Sequence, residues 1–170
     1  VIQTPDKKSA MYIAGLSFAV GDSHPDFAAL DVGNFIFGGG TLSSRLGNRV
    51  RQKEGLSYGA MSHYTASPRD EASRFILYAI CNPENMTKLD ASIADELKKF
   101  LDEGPSLTEL TDAQKAYLEA KKVDRTEDAQ LAMQIVNGLS LNRKFDFYAQ
   151  QEKKAGELSP DEVKAAFRKY

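Results

Sequence analysis

Hydrophobic and polar positions alternate at the start of the chain and then change to a helical rhythm. Over residues 10–20, Tyr12, Ala14, Leu16, Phe18 and Val20 fall on one face, the pattern of a strand at least half buried. Ser23-His24-Pro25-Asp26 reads as a helix start, with a capping residue, an early proline and an acid in the first turn. Ala28, Val32, Phe35 and Ile36 follow at i, i+4, i+7 and i+8, which predicts a helix laying one stripe on the sheet until Gly38-Gly39-Gly40 stops it. A second helix is expected over 41–53, with Leu42, Leu46 and Val50 as its apolar rail and Arg45, Arg49, Arg51 and Lys53 on its polar side. Gly55 closes it in the C′ position. Segments 57–64 and 73–80 read as strands of one long hairpin, joined through Pro68-Arg69-Asp70.

Beyond Ile80 the period is helical. Asn82-Pro83 supplies a cap and a first position, and Met86, Leu89, Ile93, Leu97, Phe100 and Leu101 form an amphipathic stripe that Gly104-Pro105 breaks. Ser106-Leu107-Thr108-Glu109 and Ser159-Pro160-Asp161-Glu162 are capping boxes, with helical stretches at 110–123, around 131–139 and around 147–155 between them. Strands in the first half and helices in the second predict an α+β fold, helices packed on a largely antiparallel sheet. Residues 1–170 read as one domain without internal repeats. Because a strand opens the chain almost at once and a helix runs into Tyr170, the chain is expected to be a fragment of something longer.

Composition narrows the classes. With 170 residues, 42% hydrophobic and 27% charged, the chain can bury a sizeable core and is not of a disordered type. A formal net charge of -2 removes the electrostatic case for nucleic acid as a partner. No apolar run is long enough for a membrane span, and the ends carry no signal-peptide pattern. The single cysteine, Cys81, excludes an internal disulfide.

Candidate chemistry is sparse. His24 and His63 open neither H-E-x-x-H nor H-x-x-E-H, so no metal site is expected in this chain. Gly38-Gly39-Gly40-Thr41 lacks the Gly-Lys-Ser/Thr ending of a phosphate loop and reads as a close-packed turn. No nucleophile elbow is present, and Cys81 has no base beside it in sequence. Asn85-Met86-Thr87 matches a glycosylation sequon, a pattern frequent by chance. The segment from Arg45 to Tyr58 stands out. Taken as a surface feature it is a solvated basic helix face, favoured by the dipole at the helix C-terminus. Yet Arg51, Gly55 and Tyr58 also couple a helix end to the start of a strand, which allows a guanidinium and a phenol to donate hydrogen bonds at one place.

Gly-Gly-Gly-Thr-Leu-Ser-Ser-Arg-Leu (38–46) followed by Val-Arg-Gln-Lys-Glu-Gly-Leu-Ser-Tyr (50–58) resembles the second, non-zinc half of the insulinase-like (pitrilysin) zinc metallopeptidases. Thr4-Pro5-Asp6-Lys7 before the first strand and Leu158-Ser159-Pro160-Asp161-Glu162-Val163 before Arg168-Lys169-Tyr170 resemble that half's borders, so the likeness covers nearly the whole chain. The resemblance implies one half of a clamshell that closes around an unfolded peptide. It implies zinc as cofactor, held by the H-x-x-E-H motif of the other half and not by this chain. Arg51 and Tyr58 match the family's catalytic Arg and Tyr, which reach the substrate near the metal. The implied partners are the zinc-bearing homologous half, in the same chain or as a separate subunit, and a peptide substrate. The implied activity is a zinc-dependent endopeptidase of bacterial type, periplasmic or cytoplasmic, with this half inactive alone. Some relatives keep the fold only as a scaffold or recognition subunit, which is the alternative reading. The closing strand that the family has after its last helix is missing from the sequence.

Overall fold

The computed structural model describes residues 8–40 and 44–170. Thr4-Pro5-Asp6-Lys7 and Thr41, Leu42 and Ser43 therefore lie outside the described residues. Strands β1 (Ala10–Phe18), β2 (Ser57–Ala66) and β3 (Ser73–Cys81) form an antiparallel sheet in the order β1-β3-β2. The expected hairpin of β2 with β3 is found, its strands starting where expected and running on to Ala66 and Cys81, while β1 ends at Phe18, short of Val20; β3 takes the centre by pairing also with β1, from Ala10–Cys81 to Phe18–Ser73.

One face of the sheet is covered. Phe75, Leu77, Ala79 and Cys81 of β3 and Ala60, Ser62 and Tyr64 of β2 are buried beneath helices. Phe37, Phe75, Phe100 and Phe167 interlock there, with Phe100 and Phe167 edge to face at 4.9 Å and Phe37 and Phe100 5.4 Å apart. Aromatic contacts of this kind add about 0.5–1.5 kcal/mol each beyond the area they bury. At the sheet's end Tyr64 shares a hydrogen bond with Ser73 Oγ, which donates to the Val20 carbonyl at 2.7 Å. Burial pushes the Tyr64 hydroxyl up to about 12, so it stays protonated.

The helices are α1 (Phe27–Asn34), α2 (Met86–Glu103), α3 (Leu107–Asp124), α4 (Asp128–Ser140), α5 (Phe145–Glu157) and α6 (Pro160–Lys169). Both capping boxes form, Ser106 with Glu109 and Ser159 with Glu162, each hydroxyl accepting the N3 amide while the glutamate takes the cap amide. Two expected caps do not. Ser23 bonds Asp22 instead, and α1 begins after Asp26, which makes no side-chain cap bond; the Asp26 amide itself donates to His24 Nδ1 at 3.0 Å. Asn82 makes no cap bond, because Pro83–Asn85 forms a 3-10 turn before α2 begins. The α1 helix also does not stop cleanly: it widens into a π-helical turn, Phe35–Gly39. A Cβ on Gly38 would sit 2.6 Å from the Ser62 amide, so the glycines do serve close packing, here against β2.

Candidate functional site

The segment 44–58 departs from a regular helix. After a short turn at Arg45 and Leu46 the chain is π-helical over Gly47–Lys53, the physical correction to the helix expected over 41–53. Wide turns of this kind recur at functional places in proteins. Leu46 and Val50 are fully buried and anchor it. Gly55 then reverses the chain at φ +61°, and the Leu56 amide donates to the Val50 carbonyl at 2.8 Å. Arg51 and Tyr58 thus leave the backbone on either side of one closed turn.

The four cations of this segment are not one solvated face. Arg45 donates to both oxygens of Glu109, at 2.8 and 2.9 Å, and to the Gly104 carbonyl, with its guanidinium over the Phe100 ring. Arg49 pairs with Glu54 and with Asp95 at 3.0 Å. Burial would raise the Glu109 carboxyl, but the bonds from Arg45 and from the Ser106 cap overcome it and hold it at about 2. The Glu54 carboxyl is likewise kept below the ordinary range: burial opposes this, and the bonds from Ser92 and Arg49 prevail. Arg51 and Lys53 lie outside these ion pairs, exposed.

Tyr58 owes its direction to a β-bulge. Ser57 pairs with Cys81 and Gly59 with Ile80, so Tyr58 is an extra residue without an opposite number. Strict alternation counted from buried Ala60 and Ser62 would turn Tyr58 into the core; the bulge turns it out, leaving it 72% exposed. Ser57 stitches the irregularity. Its buried hydroxyl donates toward the Gly59 and Ile80 carbonyls, both at 2.8 Å, and accepts the Gly59 amide at 3.1 Å. Sequence reading names Tyr58 but misses this device, whose trace is Gly59 directly after the tyrosine.

The uncovered face of the sheet begins beside this bulge. Met11 and Gly59 flank Ile80 there, and Ile13 and Met61 flank Tyr78. Met11 and Ile13 are exposed, as are Met61 and Ile80, and the Tyr78 hydroxyl donates to the Met61 sulfur at 3.2 Å. Charge on this face comes only at the far end, with Arg74 between Ser17 and Thr65. An apolar, adaptable surface next to two exposed polar donors can receive an extended chain.

The residues do not fit a zinc ion. Among the described residues no three His, Cys, Asp or Glu side chains gather where they could share a metal. His24 Nδ1 accepts the Asp26 amide, His63 stands opposite Ile76 on the open face, and Cys81 is buried, its thiol pushed up by burial. No described helix is long and apolar enough to cross a membrane.

Known proteins share this fold. The family profile described as the peptidase M16 inactive domain matches residues 1–117. A Helicobacter pylori protein named a non-peptidase homolog, YmxG, is 32% identical over 114 residues, 66% of this chain and 26% of that protein. The peptidase M16 inactive domain from Pseudomonas fluorescens superposes with a TM-score of 0.80 at 26% identity, covering 95% of this chain and 38% of that one. The inactive peptidase domain of a candidate zinc protease from Bordetella parapertussis superposes with a TM-score of 0.78 at 16% identity, over 96% of this chain and 88% of that one. The chain thus spans about a quarter of the curated relative and well under half of the Pseudomonas protein. The antiparallel sheet with its helical cover and the match over most of the length agree: the chain belongs to the family of peptidase M16 inactive domains, the non-zinc type of half in the insulinase-like metallopeptidases.

Proposed function

We propose that this domain is the substrate-binding and transition-state-stabilising half of a zinc-dependent endopeptidase acting on unfolded peptides. Zinc belongs in this reading to a homologous partner half, in the same protein or beside it. The observation that carries the reading is the bulge that holds Tyr58 out of the fold while the neighbouring turn leaves Arg51 outside every ion pair of its segment. An exposed phenol costs apolar burial, and a use outside the fold explains why the strand is bent to expose it. Tyr58 donates its hydroxyl to the scissile carbonyl oxygen as negative charge gathers there. Arg51 holds a nearby substrate carbonyl with a planar cation that stays charged at any working pH. The open face with Met11, Ile13 and Met61 receives the flanking peptide.

The test is kinetics of the assembled enzyme. Donors aimed at developing charge act on the transition state, so Tyr58→Phe and Arg51→Lys each lower kcat on the order of 10²–10³-fold, more than they raise KM. A kcat within about twofold of wild type, with a lowered Tm, would mean that both residues merely close a helix–strand junction. A second reading, a scaffold or recognition subunit of the same fold, is favoured by the relative named a non-peptidase homolog. On that account the assembled wild-type protein hydrolyses no unfolded peptide.

A further inference from the structure

The three strands hold no Asp or Glu at any position. On the uncovered side they form successive cross-strand rows. Met11, Ile80 and Gly59 make the first, beside Tyr58, and Ile13, Tyr78 and Met61 the second. Gly15, Ile76 and His63 make the third, and Ser17, Arg74 and Thr65 the last. The face is therefore graded along β3. Its near rows are apolar and open to water, Met11 to 59% and Ile13 to 65%, the mark of a surface that receives something. Its last row carries the exposed Arg74, whose side chain has no hydrogen bond or ion pair among the described residues. Asp70 and Glu71 stand in the turn before β3, and neither pairs with Arg74.

The spacing fits an extended chain. Rows recur at every second residue of a strand, about 6.6 Å apart. Side chains of an extended peptide that point the same way recur at the same interval, so a peptide laid along β3 sets one residue on each row. Ile80 and Arg74 are six residues apart, and so are the peptide residues above them. Charge decides what the far residue is. A guanidinium without a partner is satisfied by a carboxylate, which accepts two parallel hydrogen bonds from it. A second copy of this face offers none, since its strands are free of acids. Turned about a two-fold axis, that copy would press Arg74 onto Met11 and Ile80 and bury a charge unpaired.

We infer that the open face selects unfolded peptides by sequence: apolar side chains at alternate positions beside the bond presented to Tyr58, and an acidic side chain further along, held by Arg74. The inference rests on the peptidase reading for what occupies the face, and adds the class of segment taken. The thioethers of Met11 and Met61 adapt to differently shaped neighbours, so the near rows ask for apolar character and not for one residue type.

Fluorescence anisotropy of labelled synthetic peptides with the 170-residue chain tests this. The probes carry leucines at alternate positions and either Glu or Lys six residues from the first leucine, the offset of Ile80 and Arg74, in both chain orders and otherwise uncharged. In one chain order the Glu peptide binds roughly fivefold more tightly than the Lys peptide, and Arg74→Glu reverses that preference. Moving the Glu by one residue turns it away from the face and removes the preference. Ile13→Gln weakens both peptides about fivefold at unchanged Tm, since the position is exposed, while Ile13→Val retains binding. Equal binding of the Glu and Lys peptides, a preference that Arg74→Glu leaves in place, or no binding at all overturns the inference. Neither zinc nor turnover enters this measurement, so those outcomes strike the inference by itself. An assembled enzyme that binds the Glu peptide and cuts no peptide overturns the peptidase reading instead.

Discussion

Arg45 and Arg51 belong to the same short segment and carry the same side chain, but the fold employs them in opposite ways. Arg45 points along the domain, is 16% exposed, and joins α2 and α3 by gripping Glu109 and the Gly104 carbonyl over the Phe100 ring. Arg51 points away, and Tyr58 beyond the turn does the same. Arg45 and Arg49 make the turn rigid; Arg51 and Tyr58 are what the rigid turn presents. The pairing illustrates a general division, in which a positioned donor is only as precise as the ion pairs and packing behind it.

The largest effect should fall on the inner side. Arg45→Ala leaves the Glu109 carboxylate without its partner and should destabilise the domain by about 2 kcal/mol, less than a fully buried pair because the glutamate side chain is 37% exposed. Chemical denaturation measures this, and an unchanged midpoint would dissolve the contrast with Arg51.

Acid should reveal the same bond. Glu109 is held at about 2 against an ordinary 4.5, so its stabilisation is complete above about pH 4.5 and fades as pH falls toward 2. Thermal melts from pH 6 downward should lose Tm in that window, with a smaller loss in Arg45→Ala. Parallel curves for the two proteins would show that the bond does not set the acid limb.

Ser57→Ala should come next, at about 1 kcal/mol for its lost hydrogen bonds. Exchange of the Gly59 amide, which loses its acceptor, should quicken more than that of Ala60. Equal rates at the two amides would mean that Ser57 does not hold the bulge. The smallest effect is expected at the presented residues: Arg51→Ala and Tyr58→Phe should change stability by less than about 0.5 kcal/mol. A larger fall in either would place that residue with Arg45 among the structural groups.

Much of the architecture was legible because its signals are local. The two capping boxes lie within single turns, and Ser106 and Ser159 cap as their spacing requires. The β2–β3 hairpin follows from two alternating runs and one short turn. Arg51 and Tyr58 could be named from their motif, and the positive φ of Gly55 from its place after a helix. Other features were not legible. Ser23 and Asn82 have the chemistry of caps and yet their side chains make no cap bond, because α1 begins only after Asp26 and the Pro83–Asn85 turn stands between Asn82 and α2. Met11 and Ile13 make β1 apolar on both faces, a hint of the open surface that alternation alone treats as noise.

By itself the sequence determined the α+β class and the order of strands and helices, because periodicity, caps and turns depend on neighbours a few residues away. Tertiary structure alone decided which arginines are consumed in ion pairs, since Glu109 lies in a helix far along the chain from Arg45. It decided the direction of Tyr58, because a bulge is a relation between two strands, Ser57 and Gly59 against Cys81 and Ile80. It also decided which side of α4 faces inward. Leu131, Gln134 and Gly138 are the less exposed side of that helix, and Ile135, Val136 and Leu139 face out.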